Sequence, residues 1–261
     1  MLGLYDAFPD QVAVFILVMM RTGAVIFSAP VFGSPNVPAQ IKAATTVLFS
    51  LSLFPLIDIP DQPIGLDTLE FILYALRESL VGLLFGFIVS LFMNSFFIAG
   101  QTIDTQMGIG ITNIIDPVLR TNIPTMGQIW FLVATLIFLA IGGPYYMIKS
   151  LLWSYEVLPL NSLKLPSTYG AGLLRFSADM WLVGLKIGAP AIGTLLLTMI
   201  GVGVIAKSVP QMNVFIVGFP LTLSVGILTV YLSMFWFQPL VEDLFVDLFK
   251  SIGFFFSSGS I

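Results

Sequence analysis

The stretch QTIDTQMGIGITNIIDPVLRTNIPTMG, Gln101 to Gly127, is the one long polar and glycine-rich insert between strongly apolar segments of this chain. Upstream, Ser79 to Ala99 carries no charge and as a helix would rise about 30 Å, the thickness of a bilayer core. Downstream, Ile129 to Ile148 is nearly as apolar. The insert itself holds Asp104, Asp116 and Arg120, with Gly108, Gly110 and Gly127 as flexible points and Pro117 and Pro124 as helix stops. Non-helical backbone between two membrane-depth helices is tolerated only where it is buried in protein or lines a watery cavity. Two readings follow: a loop that lines or closes a passage, or an ordinary surface connection between two spans.

Composition sets the frame for that choice. The 261 residues are 57% hydrophobic and 9% charged, against roughly 25% charged in a soluble domain. The surface must therefore face lipid or other apolar protein. The length suits one all-α domain, residues 1–261, with several spans. Ten basic residues in a chain of net charge −4 form no basic run, so there is no electrostatic footprint for nucleic acid. The chain has no cysteine and no histidine, which removes thiol nucleophiles, disulfides, His or Cys metal sites and Ser-His-Asp catalysis; no cofactor or metal is expected. The N-terminal MLGLYDAFPDQ is acidic where a signal peptide is basic, and the first helix is expected to be retained.

Asp10 is the expected N-cap of a helix from Gln11 to Ala29. Arg21 lies near its middle, where a cation costs roughly 2.5 to 3.5 kcal/mol on insertion scales and pairs with an acid or with carbonyls. A structural pair, with Asp104 as the candidate acid, is one reading and a transport role the other. A rigid turn through Pro30, Gly33, Pro35 and Pro38 leads to a second helix from Ala39 to Ile57, then to an acidic, proline-rich loop. The third helix starts near Leu69 and carries Arg77 and Glu78. Its Gly82, Gly86, Ser90 and Asn94 recur every fourth position and stack on one face, a close-packing stripe. Gly142, Gly143 and Pro144 predict a kink or an end in the fourth helix. Met180 to Ala206 reads as a helix bent by glycines and Pro190, and its Lys186 joins Arg21 and Asp104 as a buried charge. Val241 to Phe256 sets Glu242, Asp243 and Asp247 against Leu244, Phe245, Leu248 and Phe249, an amphipathic helix for an interface or a partner. Strict alternation of six spans puts Lys149, Lys164 and Arg175 on the same side as the acidic N-terminus, against the positive-inside rule. That conflict implies apolar hairpins packed in an assembly.

PQMNVFIVGFPLTLSVG (Pro210 to Gly226), RTGAVIFSAPVFGSPNVPAQIK (Arg21 to Lys42), GQTIDTQMGIGITNIIDP (Gly100 to Pro117) and the following RTNIPTMGQIW together resemble the FliR/SctT family of type III secretion export-gate proteins, with the blocks in family order. The resemblance implies helical hairpins buried in a multi-subunit gate in the bacterial inner membrane, at the flagellar basal body, with much of the chain above the membrane plane. It implies assembly with FliP and FliQ, alongside FlhB and FlhA, to pass unfolded flagellar substrates. It also makes Gln106 to Asn122 the plug. In that plug Met107, Ile109, Ile111, Ile114 and Ile115 would form an apolar constriction. Gly108 and Gly110 would let it move, Pro117 would keep it out of the next helix, and polar ends at Gln106 with Asp104 and at Asp116 with Arg120 would tie it down. A virulence-type (injectisome) gate is the near alternative. A secondary transporter or channel is motivated by Arg21, Asp104 and Lys186, but the two halves show no repeat of the kind transporters carry. An intramembrane aspartyl protease is disfavoured because GIGIT has no aspartate after its second glycine.

Overall fold

In the computed structural model, residues 3–57, 68–109, 124–160, 168–209, 211 and 213–258 are described. They form seven α-helices and no strand: α1 (Gly3–Ser28), α2 (Ala39–Leu53), α3 (Thr68–Met107), α4 (Thr125–Ala140), α5 (Gly143–Val157), α6 (Tyr169–Ser208) and α7 (Val214–Ser258). A 3₁₀ turn, Phe54–Leu56, extends α2. The expected all-α class holds. Five of these helices are long and apolar enough to cross a membrane, and α4 with α5 supplies a sixth candidate.

Several boundaries differ from the sequence reading. Helix α1 begins by Gly3, so Asp10 lies inside it and cannot be its N-cap. Helix α3 does not stop at Ala99 but runs on through Gln101 to Met107. Two of the polar residues there bond back onto their own helix: Thr102 donates to the Ile98 carbonyl (2.9 Å) and Thr105 to that of Gln101 (2.9 Å). Such back-bonding lets a helix continue past its apolar run until a residue that ends it. That residue is Gly108, at φ 81°, in the left-handed region where a terminating glycine costs no strain. Gly142 does the same at φ 75° between α4 and α5, and Pro144 sits in the first turn of α5, where its missing N–H matters least. The amphipathic segment at the C-terminus is the end of one 45-residue helix, α7, that runs through Pro220 and Pro239.

The chain forms two compact units. The first contains Met1–Leu91, Gly142–Phe176 and Val246–Ile261, the second Phe92–Ile141 and Ser177–Phe245. In the first, the predicted small-residue stripe brings α3 onto α1. A Cβ at Gly82 would strike the Arg21 carbonyl and the Ala24 side chain, one at Gly86 would strike the Ser28 side chain, and Ser90 donates to the Ser28 carbonyl (2.8 Å). Asn94, the stripe's fourth member, is exposed. At the end of α7, Phe245, Leu248, Ile252, Phe255 and Phe256 are buried. The four that fall in the first unit include Phe255 and Phe256, which pack on Tyr169 of α6 with centroids 4.6 and 6.0 Å away.

The second unit is built on aromatics. Phe237 lies 4.1 Å from Trp130, and Phe245 lies 4.9 Å from Phe92 and 5.1 Å from Phe138, centroid to centroid. Rings of this size bury large apolar areas and add a geometric preference beyond area. Gly100 and Gly184 bring helices close here: a Cβ on the first would run into the Met126–Gly127 backbone and one on the second would lie 2.9 Å from the Ser95 carbonyl oxygen.

Candidate functional site

Charged groups are buried in both units, and they are arranged differently. In the first unit Arg21 is fully buried. Its Nε donates to Glu78 Oε2 (2.5 Å), Nη1 to the Ser154 carbonyl (3.0 Å) and hydroxyl (3.2 Å), and Nη2 to the Leu158 carbonyl (2.8 Å). Its guanidinium carbon stands 4.1 Å from the centroid of Tyr155, whose hydroxyl donates to the Val18 carbonyl (3.2 Å). Arg77, next to Glu78, donates through Nη1 to Glu78 Oε1 (2.6 Å) and to the Pro159 carbonyl (2.9 Å). One carboxylate thus holds two guanidinium groups, and carbonyls at the end of α5 and just beyond it take the remaining Arg21 donors. The Leu158 and Pro159 carbonyls lie just past the end of α5, where carbonyls have no intrahelical partner, while the Ser154 carbonyl accepts the Leu158 N–H (3.0 Å) as well as Arg21.

The acid partner of Arg21 is therefore Glu78, which corrects the expectation of Asp104. The glycine-permitted approach of α1 at Gly82 decides this, because Glu78 lies one helical turn from Gly82 on the same face of α3. The sequence carried a signal for it, since Arg77 and Glu78 are adjacent charges at the edge of a long uncharged run. Ser154 and the Leu158 and Pro159 carbonyls carried none. Lys186 is corrected as well: it is exposed. The buried side of α6 around it is Gly184, Ile187, Gly188, Ala191 and Leu195, a 3–4 spacing that leaves position 186 off that face.

In the second unit, the described residues of the insert form a stem. Asp104 is buried at the end of α3, and its Oδ2 accepts the Met126 N–H at 2.9 Å. Helix α4 has Pro124 at its N-cap and no side-chain cap of its own. Asp104 reaches across from α3 to supply the missing acceptor to the second residue of α4, where a carboxylate is also favoured by the helix dipole. Its other oxygen, Oδ1, and Gln106 Oε1 are buried without a hydrogen-bond partner among the described residues. Met107 is fully buried. Its carbonyl accepts from Thr222 Oγ1 of α7 at 3.3 Å, and its side chain covers Gly226, where a Cβ would lie 2.6 Å from Met107 Cγ. Gly108 turns the chain out of the helix, with its N–H donating to the Thr105 carbonyl (3.2 Å). Ile109 follows. Gly110, Ile111, Ile114, Ile115, Asp116, Pro117, Arg120 and Asn122 lie outside the described residues.

The stem thus fastens both ends of the insert, one to α7 and one to α3. Thr222 and Gly226 belong to the longest sequence block singled out above, but nothing in their spacing linked them to Met107. The arrangement holds no nucleophile–base pair. What it can do is position the fourteen residues between 110 and 123.

Bacterial export proteins, family 1, is the family whose pattern matches residues 12–248. The flagellar biosynthetic protein FliR of Bacillus subtilis (strain 168) is 30% identical over 247 residues, 93% of each chain. FliR of Aquifex aeolicus (strain VF5) is 31% identical over 244 residues, again 93% of each. FliR of Escherichia coli (strain K12) is 28% identical over 232 residues, 89% of this chain and 88% of that one.

Proposed function

The chain belongs to the bacterial export proteins of family 1, to which its FliR relatives point, and from that membership we propose that this component of the flagellar export apparatus is the gate subunit of its pore. It sits in the bacterial inner membrane at the basal body, assembles with FliP and FliQ homologues alongside FlhB and FlhA, and lets unfolded flagellar substrates through. The relatives compared are flagellar, which favours the flagellum over a virulence system.

The observation that carries the gate role is the stem. A glycine-rich, isoleucine-rich insert leaves a membrane-depth helix at a left-handed glycine and is tied at both ends by side chains from α3 and α7. A surface connection needs no such fastening. Apolar side chains at a constriction exclude water and ions by dewetting, and the insert's sequence supplies Ile109, Ile111, Ile114 and Ile115 for one. Its removal opens the path.

Deleting Gly108 to Ile115 is expected to leave an assembled complex that conducts small ions across the inner membrane. Co-purification with the FliP and FliQ homologues reports assembly, and growth sensitivity or membrane conductance reports the leak. An assembled deletion with a tight membrane would make the insert a mere connection.

A further inference from the structure

We propose that the free edge of Arg77 takes a carboxylate from an apolar helix of a neighbouring subunit, seated along the outer face of α3. This rests on the reading of the chain as one subunit of an assembled gate, and it names a contact that assembly makes. The Arg21, Arg77 and Glu78 side chains carry two positive charges and one negative, so the cluster holds one positive charge in excess. Arg77 is 3% exposed. Its Nη1 is used twice, on Glu78 Oε1 and on the Pro159 carbonyl. Its Nε and Nη2 are buried and have no partner among the described residues. These two nitrogens form one edge of the guanidinium, and their parallel N–H bonds match the two oxygens of a carboxylate. A buried guanidinium with excess charge and idle donors is costly. Arg77 lies in a span candidate, and at membrane depth no bulk water supplies the missing acceptors.

The surroundings of Arg77 on α3 decide what brings the anion. Leu73 and Leu80, one turn to either side on the same face, are exposed, as is Leu76. The cation thus lies one layer beneath an apolar outer surface. Leu80 also borders a groove of about 320 Å³ that Leu83, Leu84 and Phe87 line together with Ser28 of α1 and Ser90. Rim and groove suit a helix whose apolar side chains pack into them, since close packing is what joins helices in an apolar medium. A phosphate headgroup is bulky and hydrated, and the rim that α3 offers it is made of leucines. A carboxylate on a helix is a thin stem with a flat end, and at that depth it requires a cation as much as Arg77 requires an anion. Entry between the leucines leaves the Arg21–Glu78 pair in place.

The test uses the full chain in cells carrying the rest of the export apparatus. A photo-reactive p-benzoylphenylalanine is placed at Leu73 or at Leu80, the complex is irradiated and purified, and the cross-linked peptide is identified by mass spectrometry. The expected product joins this chain to another subunit, within one helical turn of an aspartate or glutamate that stands in an apolar segment. Replacing that acid by its amide, and Arg77→Gln in this chain, are each expected to lower the ratio of chain in purified complexes to chain in the membrane fraction by about tenfold or more. The two changes together are expected to lower it no further than either alone. Arg77→Gln leaves Glu78 on Arg21, so a purely internal role for Arg77 lowers both amounts alike and keeps the ratio; that result overturns the proposal. Losses that add overturn it too, as does an assembled complex that gives no cross-link, or cross-links only to lipid, to a second copy of this chain or to a segment without an acid. If the parent chain does not co-purify with the FliP and FliQ homologues, the assembly reading itself fails and takes this contact with it.

Discussion

Glu78 and Asp104 are both buried carboxylates on helix α3, and their surroundings are opposite in kind. Glu78 has both oxygens on guanidinium groups; that of Arg21 also reaches carbonyl and hydroxyl acceptors, whereas Arg77 bonds through Nη1 alone and its Nε and Nη2 have no partner among the described residues. Asp104 has one oxygen on a backbone N–H and the other without a partner among the described residues. A charge shared among several partners is held from several sides, and losing any one member strands the others. A buried carboxylate with few partners depends on each of them, since losing one leaves the charge uncompensated. The first arrangement ties α1, α3 and α5 together, the second ties the end of α3 to the first turn of α4.

Breaking the Arg21–Glu78–Arg77 network is expected to give the largest effect. Glu78→Ala leaves Arg21 and Arg77 side by side without an acid, and removing one partner of a buried pair costs about 3 to 5 kcal/mol. The chain should disappear from purified export complexes, with immunoblotting of the membrane fraction as the measure. Arg21→Ala is expected to lower yield by less, because Arg77 still neutralises Glu78. Recovery of either variant at normal levels would remove the cluster's structural role.

A smaller effect is expected at the other carboxylate. Asp104→Ala removes a side-chain cap of α4, worth about 1 kcal/mol, and should leave assembly intact while speeding proteolytic cleavage between residues 108 and 123. Asp104→Asn keeps an acceptor oxygen and should lie between the variant and the parent. Equal cleavage rates in all three would show that the cap does not restrain the insert. The smallest effect belongs to Ser154→Ala. Arg21 Nη1 loses one of two acceptors on that residue and keeps the carbonyl, so a loss of about 1 kcal/mol or less is expected, read as a small drop in the midpoint of thermal dissociation of the complex.

Gly108 shows how a correct residue choice can carry an incomplete reason. The sequence reading assigns it to motion, whereas its φ of 81° gives it a static task, ending α3 where the insert begins. Lys186 shows the converse. Its place in an apolar helix predicts burial, but the helix turns it away from the packed face.

What the sequence by itself determined is what depends on composition and local order. The all-helical class, the membrane-length runs, the close-packing stripe at Gly82 and Gly86, the break at Gly142–Pro144 and the family blocks all follow from residue type and spacing along one segment. Only the tertiary structure decided which charges meet. Arg21 finds Glu78 and the carbonyls at the end of α5, and Met107 finds Thr222 and Gly226, across 57 to 137 residues of chain. The physical reason is that such pairings are set by which helix faces touch and at what height. That is a property of several segments packed together, and a rotation of one helix by a single residue position, about 100°, would change every partner.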